Sequence, residues 1–347
     1  MANLLINGFE QDDATSVQRD WSLLADTITV VNTGRRSTNC VRFRGSGRLS
    51  KGFPSTTGTM TFGFALLVEA IPTVSTSYIA SVTDGTNITM SLAITTAGTL
   101  VSQSAGATYA TGTKVLAPST WYYIEWVVKV ADSGGIAQVY IDGSSTPDLD
   151  FSGDTRFSTN GANIQSFAFG SGAGSNAVYC RVGDFYANDD SGSSPDNGRW
   201  GDTKVTAIVP NAAGASNTLV SKTTGTAAAT NVNEVDDPGS SDDDSTYVSG
   251  TSGLDLYNFP ALGYTAASIR AVCTRITAKK LDASARTVAA TVHSGGGGGG
   301  GSNFVSTAQS IGTSYTVKTF LHPVDPATST TWTQSNLEAA QFGVTVA

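Results

Sequence analysis

Two carboxylates at alternate positions of a β-strand project from the same face of a sheet, where they can flank a glycosidic bond. No strand carries the Glu-x-Asp-x-Glu pattern that would do this; Glu234-Val235-Asp236 has its first two letters, but Asp237 and Pro238 follow directly in an acidic stretch that does not read as a strand. Glu125 lies in the strongest strand pattern of the chain. Its alternate neighbours are Tyr123 and Val127, so it is expected to be a solvated carboxylate on a strand face. Nucleophilic chemistry finds no better support. There is no Gly-x-Ser-x-Gly turn. His293 borders a glycine run and His322 precedes Pro323, and both read as ordinary surface or turn histidines. Cys40, Cys180 and Cys273 are far apart and odd in number, with no Cys-x-x-Cys, which argues against a structural zinc site. Cys180 and Cys273 read as small buried hydrophobes, and the cysteine usage fits synthesis in a reducing cytoplasm. No catalytic residue and no cofactor-binding residue is assigned, and the expectation is that the chain is not an enzyme.

Binding chemistry is more open. Tyr78, Tyr109, Trp200 and Tyr264 are aromatics near loops, suited either to a sugar platform or to a subunit interface, the interface being favoured. Arg35, Arg36, Arg42, Arg44, Arg48 and Lys51 form the one basic cluster. It reads as alternating solvent-facing charge, or as a surface for an acidic neighbour, including the acidic stretch of another copy. Asp242, Asp243 and Asp244 read chiefly as solvated charge.

The composition limits these options. Lys plus Arg number 20 and Asp plus Glu 28 in 347 residues, a formal net charge of -8, which lacks the basic footprint of a nucleic-acid binder. No run of about 18 apolar residues is present, so no membrane-spanning helix is expected. The N-terminal residues lack the charged and apolar regions of a secretory signal. Charged residues make up 14% of the chain and glycines number 38, which suits a large β protein with much of its surface in contact.

The elements that must position these side chains are strands. From Trp121 to Val130, Tyr122, Ile124, Trp126, Val128 and Val130 share one face, and Tyr123, Glu125, Val127 and Lys129 the other. Similar runs cover 60–71, 78–83, 88–94, 136–141, 164–169 and 178–186, punctuated by Asp84-Gly85, Ala97-Gly98, Ser133-Gly134-Gly135 and Asp142-Gly143. This is the pattern of a sandwich or jelly roll over residues 1–190. Residues 191–253 have few large apolar side chains and read as an extended acidic connector. Alternation resumes over 254–347, which predicts a smaller β-sandwich. There Thr333 caps one short helix, Trp332 and Leu337 form a hydrophobic staple, and 341–346 is a last strand. The run Gly295–Gly301 reads as a loop tip; no Lys-Ser or Lys-Thr follows it, so it is not a phosphate loop.

Trp121-Tyr122-Tyr123-Ile124-Glu125-Trp126, Gln138-Val139-Tyr140-Ile141-Asp142-Gly143 and Val182-Gly183-Asp184-Phe185-Tyr186 resemble the concanavalin A-like jelly roll in its laminin-G-like form. The resemblance implies an all-β fold and leaves function open, since that fold hosts lectins, hydrolases and structural modules. It also leaves calcium possible at the rim, with Asp84, Asp142, Asp184, Asp189 and Asp190 as oxygen donors near turns. Turn formation is the favoured role for these residues, and the metal ligands stay unknown. Gly201-Asp202, Val209-Pro210-Asn211, the stretch from Val235 to Val248, Asp255-Leu256-Tyr257, Asp325-Pro326-Ala327-Thr328, Trp332-Thr333 and Gln341-Phe342-Gly343-Val344 resemble virion structural proteins of tailed bacteriophages. This implies a tail, fibre, collar or capsid-surface protein that assembles in the host cytoplasm. Its expected partners are further copies, in a homo-oligomer, and other virion proteins. The alternative is a receptor-binding protein whose jelly roll recognises a host glycan.

Overall fold

The computed structural model describes residues 3–10, 12–13, 16–24, 28–37, 39–104, 107–157, 160–170, 178–192, 197–236, 242–295 and 301–347. The chain forms two compact units, Met1–Thr206 and Ala207–Ala347.

The N-terminal unit is a jelly-roll sandwich of two antiparallel sheets. The larger sheet runs Leu149–Gly153, Gly135–Ile141, Trp121–Lys129, Met60–Val68, Val178–Asp189, Cys40–Gly45 and Ile28–Val31, with Asn3–Asn7 added alongside Val178–Asp189. The second runs Ala107–Val115, Thr99–Ser104, Ile88–Ile94, Ser77–Thr83, Ile164–Gly170, Arg48–Thr56 and Ser22–Leu24. Period-two alternation sends Phe62, Phe64, Ile124, Trp126, Phe167 and Phe169 into one continuous core between the sheets. Aromatic rings dominate it: Phe62 stacks on Phe167 at 4.5 Å between centroids, and Trp21 meets Phe185 edge-on at 5.4 Å.

Met60–Val68 is buried along its whole length, on both faces. Its core face carries Phe62, Phe64 and Leu66. Its other face carries Thr61, Gly63, Ala65 and Leu67, so something must cover the outside of this sheet. A bulge in the adjoining strand matters here. The register of Val178–Asp189 against Met60–Val68 shifts between Gly183 and Tyr186, and Asp184 takes a left-handed φ of 48°. Cys180 and Val182 face the core before the bulge, and Phe185 and Ala187 after it. Asp184 and Tyr186 are thereby turned outward.

The C-terminal unit packs a six-stranded sheet against a two-stranded ribbon. The sheet runs Ala212–Asn217, Gly253–Asn258, Gln341–Val346, Thr287–Ser294 and Ser302–Val305, with Gln309–Ser310 also on Thr287–Ser294. The ribbon is Val272–Ala278 with Thr316–His322. Val288, Ala290, Ile311 and Phe320 form one small core, and Val292, Trp332, Ala340 and Phe342 another. The helix is Gln334–Ala339; the Thr333 hydroxyl accepts the Asn336 N–H at 3.1 Å, and Trp332 and Leu337 join the same cluster, as the cap and staple predict.

The expected connector over 191–253 is divided by its contacts. Residues 191–206 belong with the jelly roll, and 207–253 fold with the C-terminal unit. The second part contributes Ala212–Asn217, paired with Gly253–Asn258, and a 3-10 turn at Ala229–Glu234. It has few large apolar residues, Leu219 and Val232 being buried among them, and is held largely by polar groups. Asn231 donates to Leu219 O and Asp255, and Asp255 also accepts the Thr218 and Leu219 N–H groups. Hydrogen bonds of this kind are invisible to hydrophobic patterning. Asp237, Pro238 and the glycines 296–300 lie outside the described residues.

Candidate functional site

The outside of the larger sheet carries one cross-strand row of four residues. Register places Tyr140 opposite Glu125, Glu125 opposite Gly63, and Gly63 opposite Tyr186. Gly63 has no side chain because the Tyr186 ring lies over it; a Cβ there would overlap the ring. The tyrosine hydroxyl thus crosses the strand and donates to Glu125 Oε1 at 2.6 Å. Gly63→Ala should cost about 1–3 kcal/mol by overpacking. Urea denaturation checks this, and an unchanged midpoint would show that Tyr186 can leave its seat freely.

The segment after the last jelly-roll strand closes over this row. Arg199 donates to Glu125 Oε2 through Nε at 3.0 Å and Nη2 at 2.8 Å, and its guanidinium lies 3.4 Å from the Tyr140 ring centroid. Trp200 stacks on Tyr186 at 4.5 Å, and its backbone N–H donates to the Tyr186 hydroxyl at 2.9 Å. The Gly201 N–H donates to Glu125 Oε1 at 2.8 Å. Further along, Val205 N–H donates to Asp184 Oδ1 at 2.9 Å, and Asp202 accepts from Arg35 at 2.5 Å and Arg36 at 3.3 Å. Residues 199–205 therefore form a strap across the sheet.

Glu125 is fully buried, which corrects its reading as a solvated carboxylate. The strand face was assigned correctly; the strap 74 residues later in the chain removes the water. Two donors on each oxygen use the acceptor capacity of the carboxylate, so it holds the strap and has no lone pair left for acid–base work. Burial raises the Tyr123 and Tyr186 hydroxyls well above their ordinary range, with nearby acids adding to it. Burial also pushes the Asp184 carboxyl up to about 6, against the opposing pull of the Val205 N–H and of Arg35, Arg36 and Lys204.

A second cluster sits on the same sheet face toward its other edge. Glu69 Oε1 accepts from Arg42 Nε at 2.6 Å and Arg181 Nε at 2.7 Å. Its Oε2 accepts from Arg42 Nη2 at 2.9 Å and from Arg44 at 3.2 Å. The predicted basic cluster is thus split. Arg42 and Arg44 join Arg181; Arg35 and Arg36 go to Asp202; Lys51 pairs with Asp20. Arg48 lies on the other sheet, where burial lowers its pKa. Arg42 and Arg44 were legible by period two, whereas Arg181 arrives by strand pairing from far along the chain.

The remaining candidates do not converge. Asp84 accepts the Thr86, Asn87 and Gly161 N–H groups, Asp142 accepts from Tyr123 N–H and Lys114, Asp189 from Ser191, and Asp190 from Thr59. Each closes a local turn or contact, and no group of three or more His, Cys, Asp or Glu suited to a metal occurs among the described residues. Trp200 is buried in the strap, which removes it from a sugar platform, and the half-buried Tyr109 stacks on Phe151 at 5.2 Å and donates to Thr155 O. Tyr264 is 40% exposed, in the C-terminal unit. His322 is buried beside Thr274, not a surface residue, because it ends a ribbon strand covered by Phe342; burial lowers its pKa to about 4. His293 pairs with Asn303. Cys40 and Cys180 are free and buried, and burial pushes the Cys40 thiol up to about 12. A shallow open depression at Ser294, Gly295, Gly301, Ser302, Phe304 and Ala327 flanks the glycine run.

No protein-family profile matches the sequence, and no curated protein does. Solved structures match about half of the chain at low identity. Trypanosoma rangeli sialidase in complex with 2,3-difluoro-KDN is 17% identical over 48% of this chain and 30% of that one, with a TM-score of 0.36. Cellulose induced protein Cip1 is 12% identical over 53% of this chain and 96% of that one, at 0.42. Domain 4 of AbnA, a GH43 extracellular arabinanase from Geobacillus stearothermophilus in complex with arabinotriose, is 15% identical over 54% and 93%, at 0.39. The matched part of the chain spans about a third of the sialidase. These likenesses concern the β-sandwich alone. The expectation that the chain is not an enzyme is withdrawn, since the solved structures matched include sialidases, at low identity and partial coverage.

Proposed function

We propose that the chain is a structural subunit of a bacteriophage particle, working through contacts between copies and with other virion proteins. The observation that carries the assembly reading is the thin core of the C-terminal unit. Apart from Phe320 and His322, every residue of the Val272–Ala278 and Thr316–His322 ribbon is only partly buried. A two-stranded ribbon is marginal without further cover. Two of the unit's apolar clusters hold four buried side chains each, with Leu219, Val232, Leu256 and Tyr257 buried besides, against the large core of the jelly roll. Leu281, just beyond the ribbon, is 83% exposed, and Val305 is 57% exposed. A neighbouring subunit laid on the ribbon supplies the missing burial, and closed symmetric oligomers are the common solution. The particle class rests on the sequence resemblance over residues 188–347.

Sedimentation of the purified full chain should give a closed oligomer of fixed copy number at micromolar concentration. Imaging of purified particles should place it in a symmetric shell, collar or tube. A stable monomer, with the C-terminal unit unfolding cooperatively by itself, would overturn the assembly reading. An oligomer absent from every particle would overturn the virion assignment.

A further inference from the structure

We propose that the arginine cluster on Glu69 docks the acidic stretch of a second copy of this chain, through the carboxylates of Asp236 and Asp242. The inference rests on the assembly reading above and names the contact.

Three guanidiniums share one carboxylate, leaving a local charge of about +2. Register sets Arg181 directly opposite Arg42 on neighbouring strands. Like charges so placed destabilise a sheet, and Glu69 relieves this in part. Five N–H donors already fall on its two oxygens, so Glu69 is saturated while each guanidinium carries donors beyond those it spends there. Arg181 uses one more on Thr33 Oγ1 at 2.6 Å. The Arg44 side chain is 55% exposed, and Tyr179, its cross-strand partner, is 43% exposed. The result is a fixed, partly desolvated set of planar donors beside an exposed ring, matched to carboxylates.

The complementary surface is within the same sequence. No Lys or Arg occurs between Lys222 and Arg270, and six carboxylates fall in residues 234–244. Glu234 is buried against Ser221 and Thr223, and Asp244 is held by Lys279 and Tyr315. Asp236 and Asp242 are exposed. In a chain of net charge -8, an arginine cluster facing outward has an acidic partner in every other copy.

The test is sedimentation of the full chain at low and high salt, comparing wild type, Arg44→Glu, Asp236→Lys/Asp242→Lys, and the combined charge swap. Arg44 is the most exposed of the three arginines and makes the longest contacts to Glu69, so its reversal spares the sheet; an unchanged thermal midpoint verifies this. Each reversal should weaken association about tenfold or more, high salt should mimic it, and the combined swap should restore it. Association indifferent to Arg44→Glu and to salt, in a chain that still oligomerises, overturns this contact and leaves the assembly reading standing. Weakening by Arg44→Glu without rescue by the combined swap overturns the acidic stretch as the occupant. A monomeric wild type overturns both.

Discussion

Arg199→Ala should destabilise the N-terminal unit by about 3–5 kcal/mol, the usual cost of breaking one side of a buried ion pair. Glu125 has a side chain only 1% exposed and would be left with the Tyr186 hydroxyl and the Gly201 N–H alone. The same substitution uncovers the Tyr140 ring. For a unit of this size the loss corresponds to a midpoint lower by about 6–20 °C. Urea denaturation of Arg199→Ala, Glu125→Gln and the double variant measures the coupling. The double variant should be less damaged than the sum of the singles, because neither charge is then left alone. A loss below about 1 kcal/mol for Arg199→Ala would show the strap to be no more than a surface pair.

Asp184 should make the same unit weaker as pH rises. Its folded pKa, near 6, stands above the ordinary aspartate value of 3.8, mainly through burial. The folded state therefore holds the proton more tightly than the unfolded chain. The stabilising contribution is complete below about pH 4 and is lost as pH rises through 6. A shift of about two pH units amounts to roughly 3 kcal/mol. Asp184→Asn keeps an acceptor for the Val205 N–H and tolerates the left-handed backbone at this bulge. It forgoes attraction to Arg35, Arg36 and Lys204, so the gain at pH 7.5 should be about 1–3 kcal/mol. Stability measured from pH 4 to 7.5 should diverge between variant and wild type across that window. Parallel curves would show that Asp184 ionises as freely in the folded state as in the unfolded one.

The face of Glu125 was readable from its strand, and its surroundings were not. Alternation around Trp121 placed Glu125 on the face opposite Ile124 and Trp126, and the structure keeps it there. What covers that face comes from residues 199–205, a stretch with no periodicity. The arginine cluster shows the same limit. Arg42 and Arg44 share a face by period two, but Glu69 and Arg181 join them through strand neighbours that no local pattern specifies. The bulge at Asp184 was hidden for a further reason: one extra residue reverses the faces of a strand, and Val182-Gly183-Asp184-Phe185-Tyr186 reads as unbroken alternation in the sequence.

The sequence by itself determined the all-β class, most strand positions, the Thr333-capped helix and the final strand at Gln341–Val346, because these follow from side-chain period and short-range hydrogen bonding. The tertiary structure decided the burial of Glu125 and His322, the splitting of the basic cluster, and the division of residues 191–253 between two units. Those outcomes depend on polar groups meeting across long sequence separations. A hydrogen bond or ion pair leaves no periodic trace in the chain, and becomes defined only when the packed sheets exclude water around it.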